Sequence, residues 1–183
     1  MILASASPRR RELLSIITKD FTVIPSDVDE DFLPGTPPEE AVQLLSLRKA
    51  KHIAEKHPGQ LVIGADTVVV LDGAVLGKPA DKADAFRMLS ALSGRTHTVF
   101  TGVALVKDRN ESVFFESADV TFRQLSPEEI WDYIESGEPM DKAGAYGIQE
   151  KGALFVRGVN GDYFTVVGLP LCTLNGKIKD FLN

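Results

Sequence analysis

An acid set inside a β-branched run constrains this chain more than any other feature. Leu61-Val62-Ile63 and Val68-Val69-Val70-Leu71 flank Gly64-Ala65-Asp66-Thr67, and the whole reads as strand buried on both faces. An ionised carboxylate in such a strand costs on the order of several kcal/mol unless it is paired, hydrated or bound to a metal. Asp66 therefore faces a cleft, pairs with a core lysine or caps a bulge, and its position alone leaves these open. Asp72-Gly73 then marks a tight hairpin turn, and the return strand Ala74-Val75-Leu76 ends at Gly77-Lys78-Pro79, a path that can bring Lys78 back toward the acid.

At 183 residues with 44% apolar content, one domain over 1–183 is expected. A net charge of −6 argues against a general nucleic-acid binder, which needs a basic face, though local basic clusters can still hold small anions. The single cysteine, Cys172, excludes an intrachain disulfide framework and a Cys-rich zinc site, and between Leu171 and Thr173 it is expected as a small buried apolar residue. Neither a signal-peptide pattern nor an apolar run of membrane length is evident, so the expectation is a cytoplasmic protein with no membrane partner.

The N-terminus reads as a short strand, Ile2-Leu3-Ala4, followed by a helix start in which Ser7 caps and Pro8 takes the first helical position. Arg9 and Arg10 then fall at the positive end of the helix dipole, at a cost of about 0.3–1 kcal/mol per charge unless an anion offsets it. Free N–H groups, the hydroxyls of Ser5 and Ser7 and two guanidinium groups describe a phosphate site; the alternative is a solvated basic turn. The Walker-type spacing of a P-loop is missing. Phe21 to Ile24 form a second strand running into the acidic loop Ser26 to Asp31, which carries Glu30 and is of a kind usually just solvated. Thr36-Pro37-Pro38-Glu39 predicts a capping box opening a helix with the stripe Ala41, Leu44, Leu45, Ala50, Ile53 and Ala54. Lys49 lies near that stripe, and spacing favours a side chain that snorkels to solvent over one that reaches a cleft.

Farther on, Asp81 caps a helix that Gly94 closes, and His97 heads a long strand to Val106 whose partner runs from Val113 to Phe122. No second His lies at ligand spacing from His97, which argues against a metal role for it. Ser126-Pro127-Glu128-Glu129 predicts a second capping box. The small residues of Asp141 to Gln149 permit close backbone approach to a ligand or another segment. Asn160-Gly161 reads as a hairpin turn, and Leu169-Pro170 opens a terminal helix. Strands interleaved with helices, with adjacent hairpins among them, indicate an α/β fold on a mixed sheet.

Taken in order, Ser5-Ala6-Ser7-Pro8-Arg9-Arg10, Gly64-Ala65-Asp66-Thr67, Gly77-Lys78-Pro79, Ser93-Gly94 with His97, Thr101-Gly102-Val103, Ala143 to Gln149 and Val167-Gly168-Leu169-Pro170 resemble the Maf family over nearly the whole chain. The resemblance implies a nucleoside triphosphate pyrophosphatase of the fold shared with inosine triphosphate pyrophosphatases: a twisted mixed β-sheet with flanking helices, in two lobes around a central cleft. It also implies a homodimer, a nucleoside triphosphate as substrate and a divalent cation, Mg2+ or Mn2+. By the same resemblance Arg9, Arg10, Lys49 and Lys78 line the triphosphate site, Glu30 lies near the metal or water, and Asp66 is the general base and a metal ligand. Arg9, Thr67 and Gln149 fall where family subtypes differ, and their combination resembles the subtype acting on dTTP and UTP. One position departs from the pattern: after Gly147-Ile148-Gln149 the family commonly has glycine, and this chain has Glu150. A second function attaches to the family by name, an interaction protein of septum formation that binds nucleotides without turnover.

Overall fold

The computed structural model describes residues 1–182 other than Phe32 and Pro34. One mixed sheet runs through it in the order β2-β1-β3-β5-β6-β7, with β4 added on β3. Its strands are β1 (Ile2–Leu3), β2 (Thr22–Val23), β3 (Val62–Leu71), β4 (Ala74–Leu76), β5 (Thr96–Lys107), β6 (Asn110–Phe122) and β7 (Val156–Gly161). β1 pairs in parallel with both β2 and β3, whereas β3–β4 and β6–β7 are antiparallel. The helices are α1 (Pro8–Ile17), α2 (Pro38–Ala54), α3 (Lys82–Leu92), α4 (Pro127–Glu135), α5 (Tyr163–Val167) and α6 (Leu171–Leu182). The chain divides into two compact units, the first made of Met1–Thr67, Thr101–Glu116 and Gly168–Asn183, the second of Val68–Phe100 and Ser117–Val167.

In the first unit α2 buries Ala41, Val42, Leu45, Ser46, Lys49, Ala50 and Ile53, a stripe with Lys49 inside it. Leu44, expected in the stripe, falls on the face of α2 away from these residues and stands 51% exposed. Ala50 and Ile53 meet Ile2, Ala4, Val62, Ala104 and Val106 in one cluster. Each fully buried Ile or Val there contributes about 1.5–3 kcal/mol. The helix lies so close to the strands that a Cβ on Gly64 would strike the Ser46 carbonyl, and one on Gly102 the Val42 carbonyl. Two glycines in neighbouring strands thus set how deep the Lys49 side chain sits.

Three expectations change here. The Thr36 capping box does not form, because Pro37 precedes Pro38 and is held extended (φ −55°, ψ 141°), so the helix starts at Pro38 with no side-chain cap. Thr36 donates instead to the Leu33 carbonyl at 2.7 Å. Asn160 and Gly161 make no hairpin turn; they end β7, paired with Asp119 and Ala118. The chain then enters α5, where Asp162 accepts from the Phe164 amide at 3.0 Å. Cys172 is exposed, since α6 turns Leu171, Leu174 and Ile178 inward and Cys172 falls off that stripe.

Elsewhere in the second unit the expected turn and caps form. Asp72 (φ 52°) and Gly73 (φ 77°) make a two-residue turn between β3 and β4. Asp81 caps α3 through the Asp84 amide, and Ser126 and Glu129 close a reciprocal box on α4. α3 and α4 pack on each other, Phe86 stacking on Trp131, while α3 buries Ala85, Met88, Leu89 and Leu92 and α4 buries Ile130, Tyr133 and Ile134. Phe122 lies edge-on to His97, Tyr146 and Phe155 in an aromatic core.

Candidate active site

Asp66 sits on β3 in the first unit, only 8% exposed, and the lysine it pairs with is the one expected to reach solvent. Lys49, 7% exposed, donates from Nζ to Asp66 Oδ1 at 2.6 Å. Glu30 Oε1 lies 2.6 Å from the same Nζ. Lys49 does not snorkel because its position on α2 points into the strands, where a buried carboxylate is waiting. Of the alternatives for Asp66, the paired acid is the one observed, and its partner is shared with a second carboxylate.

Glu30 reaches this point from the acidic loop after β2, with its side chain 55% exposed. The loop is tied to α2 by Arg48, whose Nη1 donates to the carbonyls of Asp29 at 2.6 Å and Asp31 at 3.0 Å. Neighbouring residues of one helix thus hold the loop by its backbone and its acid by the side chain. Sequence reasoning missed Arg48, because a cation one residue from the buried stripe reads as solvated.

The start of α1 lies against the residues that flank Asp66. Ser7 caps the helix by accepting from the Arg10 amide, and its own amide donates to Ser5 Oγ at 3.2 Å. Arg10 folds back over β3: Nη1 donates to the Ala65 carbonyl at 2.8 Å and to Ser5 Oγ at 3.3 Å, and Nη2 to Thr67 Oγ1 at 2.9 Å. Nε donates to the Gly168 carbonyl at 2.9 Å. Its guanidinium is thereby committed to both neighbours of Asp66 in the chain, which differs from a cation held ready at a helix terminus. Burial pushes the Arg10 guanidinium below its ordinary range, Asp66 and Glu30 oppose that, and Arg9 adds to it. Thr67 Oγ1 also meets Thr101 Oγ1 at 2.9 Å, a contact for which the sequence offered only the motif Thr101-Gly102 and no role. Arg9, Arg10 and Lys49 together set three positive charges against the two of Asp66 and Glu30, an excess suited to a polyanion.

Lys78 and Gln149 belong to the second unit, and both are exposed. Their loops are joined there by the Gly144 amide, which donates to the Gly77 carbonyl at 3.0 Å. His97 is a core residue, with Nε2 2.8 Å from Tyr146 Oη, and burial drives its pKa down to about 4. Among the described residues no three His, Cys, Asp or Glu side chains group as metal ligands. Likewise none of the described helices is long and apolar enough to cross a membrane.

A family model described as Maf-like protein matches residues 1–181. A dTTP/UTP pyrophosphatase of Moorella thermoacetica is 55% identical over 183 residues, covering 99% of this chain and 94% of that protein. Another, from Geobacillus sp. (strain WCH70), is 51% identical over 179 residues, covering 98% and 96%. Among solved structures, the Staphylococcus aureus Ham1 protein superposes with a TM-score of 0.51 over 98% of this chain and 97% of that one. At 15% identity that likeness speaks for the fold alone. With the family model spanning all but its last residues, and with relatives that share more than half its positions along nearly their whole length, the chain belongs to the Maf family.

Proposed function

We propose that this protein is a nucleoside triphosphate pyrophosphatase that hydrolyses dTTP and UTP to the nucleoside monophosphate and pyrophosphate, with Asp66 as the catalytic base. The activity named for its relatives supports the substrate class. The observation that carries the site is the convergence of two carboxylates, Asp66 and Glu30, on the single buried ammonium of Lys49, each at 2.6 Å. Oδ1 of Asp66 is committed to Lys49, and Oδ2 is the oxygen offered to water. Water attacks the α-phosphorus, its proton passes to Asp66, and the bond from that phosphorus to the bridging oxygen breaks. Arg9, Lys49 and Lys78 are assigned to the charge that develops on the departing pyrophosphate, where fixed cations act with no reorganisation. Ser5 and Ser7, beside the α1 N-terminus, are assigned to phosphate oxygens.

A divalent cation, Mg2+ or Mn2+, would be held by the same two carboxylates, beside Lys49. Glu30 and Asp66 already meet at one cationic atom, and two carboxylates completed by substrate phosphates are a donor set that a hard ion accepts. When bound, the ion supplies further positive charge to the phosphate oxygens. Arg10 acts through its neighbours, holding Ala65 and Thr67 on either side of the base. Gln149 is assigned to the pyrimidine, because its amide offers a donor and an acceptor to the carbonyl and N3–H edge shared by thymine and uracil. The proposal extends to a cytoplasmic homodimer, which light scattering in solution tests.

Pyrophosphate release, read with coupled inorganic pyrophosphatase and Mg2+, tests the activity. Turnover of dTTP and UTP well above that of GTP, ATP and 7-methyl-GTP is expected. Faster hydrolysis of 7-methyl-GTP than of dTTP, or no turnover of any triphosphate, overturns it.

A further inference from the structure

We propose that Glu138 is a positioning residue for base selection, acting as a clamp that grips the Gly147–Gly152 segment on both sides of Gln149. This rests on the assignment of Gln149 to the base. Every contact involved lies within the second unit.

Glu138 opens the 3-10 turn Glu138–Asp141 just after α4. Its Oε1 accepts from Tyr133 Oη at 2.7 Å and from the Gly152 amide at 3.2 Å, and its Oε2 accepts from the Lys151 amide at 3.1 Å. Tyr133 Oη in turn accepts from the Gly147 amide at 3.0 Å. One carboxylate therefore holds Lys151 and Gly152 directly and Gly147 through a tyrosine. Gln149 lies two residues from Gly147 and two from Lys151, so its backbone is pinned before and after while its side chain stays exposed. The buried neighbour Ile148 anchors the same stretch from inside. The clamp is itself braced, since the nearly buried Lys142 donates to the Glu138 carbonyl at 2.6 Å and to Asp141 Oδ1 at 2.9 Å.

Such a carboxylate has a job that an apolar residue or an amide of the same size does not fill. Two backbone amides and a tyrosine hydroxyl present donors to it, and an ionised acid presents only acceptors. A glutamine here keeps one acceptor oxygen and turns an NH2 donor toward a backbone N–H. Freed by such a mismatch, the Gln149 amide loses the fixed placement on which recognition of a planar base edge depends.

The test compares kcat and KM for dTTP, UTP, CTP and GTP in the wild type, Glu138→Gln, Tyr133→Phe and Gln149→Leu, with tripolyphosphate as a competitive probe of phosphate binding. Glu138→Gln should lower the dTTP-to-GTP ratio of kcat/KM about 10- to 100-fold, mostly through the KM for dTTP, with a smaller drop in Tyr133→Phe. Inhibition by tripolyphosphate should be unchanged. An equal fall for all four nucleotides, or an unchanged ratio, while Gln149→Leu alters it, overturns the clamp and leaves the Gln149 assignment standing. A ratio moved by Glu138→Gln but not by Gln149→Leu overturns the Gln149 assignment and with it the clamp as the device that places that side chain; a ratio moved by neither overturns both. Should Glu138→Gln not fold, Tyr133→Phe decides alone, since it removes only one hydroxyl.

Discussion

Removing Arg10 separates two physical pictures that predict opposite signs. Were Arg10 an uncompensated cation at the positive end of α1, Arg10→Ala would leave the ligand-free protein unchanged or stabilise it by about 0.3–1 kcal/mol. Its guanidinium instead donates to the carbonyls of Ala65 and Gly168 and to the hydroxyls of Ser5 and Thr67. The hydroxyls have other partners, Thr67 with Thr101 and Ser5 with the Ser7 amide. The two carbonyls, on buried residues, bear most of the loss at about 1–3 kcal/mol each. Subtracting the relief at the dipole leaves a destabilisation of about 2–5 kcal/mol. For a chain of this size that lowers Tm by roughly 5–15 °C. Thermal unfolding of ligand-free Arg10→Ala, followed by circular dichroism, measures it. An unchanged or raised Tm refutes the argument. Arg10→Lys should recover little, because a single ammonium cannot span four acceptors set in different directions.

Asp66→Asn should cut kcat by about 10²- to 10⁴-fold while dTTP still binds in a calorimetric titration, and near-normal kcat in the folded variant would move the base elsewhere, with Glu30 the next candidate. His97 titrates at about 4 in the folded protein against 6.5 in an unfolded chain, so between those values the unfolded state binds the extra proton. Stability contributed by His97 is therefore full above about pH 6.5 and declines by roughly 3 kcal/mol as pH falls toward 4. Urea unfolding at stepped pH should show this slope in the wild type, and its persistence in His97→Gln would assign it to other groups.

What sequence revealed and what it concealed divides along the range of the interactions. The Asp72-Gly73 turn, the Asp81 cap and the Ser126–Glu129 box each depend on residues within a few positions, and each forms as expected. Asp66 was conspicuous because an acid in a β-branched run needs a partner, but its partner was not. Helical spacing places Lys49 near the buried face of α2, yet how deep it sits follows from Gly64 and Gly102 on strands far along the chain. Arg10 read as a cation awaiting an anion because its acceptor at Gly168 is 158 residues away. The Thr36 box failed for a local reason, a proline following a proline, which the capping pattern does not include. Glu138 left no trace at all, since its partners are backbone amides and any residue supplies those.

The Arg10–Gly168 bond also bears on how the protein is made. The first unit is assembled from the beginning, the middle and the end of the chain, whereas every residue of the second unit lies between Val68 and Val167. As the polypeptide leaves the ribosome, β1, α1, α2 and β3 are present early, but the carbonyl that receives Arg10 Nε is not yet made. Through most of synthesis, then, the residues around Asp66 wait with an unfilled arginine donor and no α6 beside them. The second unit has all its parts first. In this protein Asp66 is translated early and its surroundings are braced last, so a nascent chain interrupted before Gly168 carries the acid without the frame that holds it.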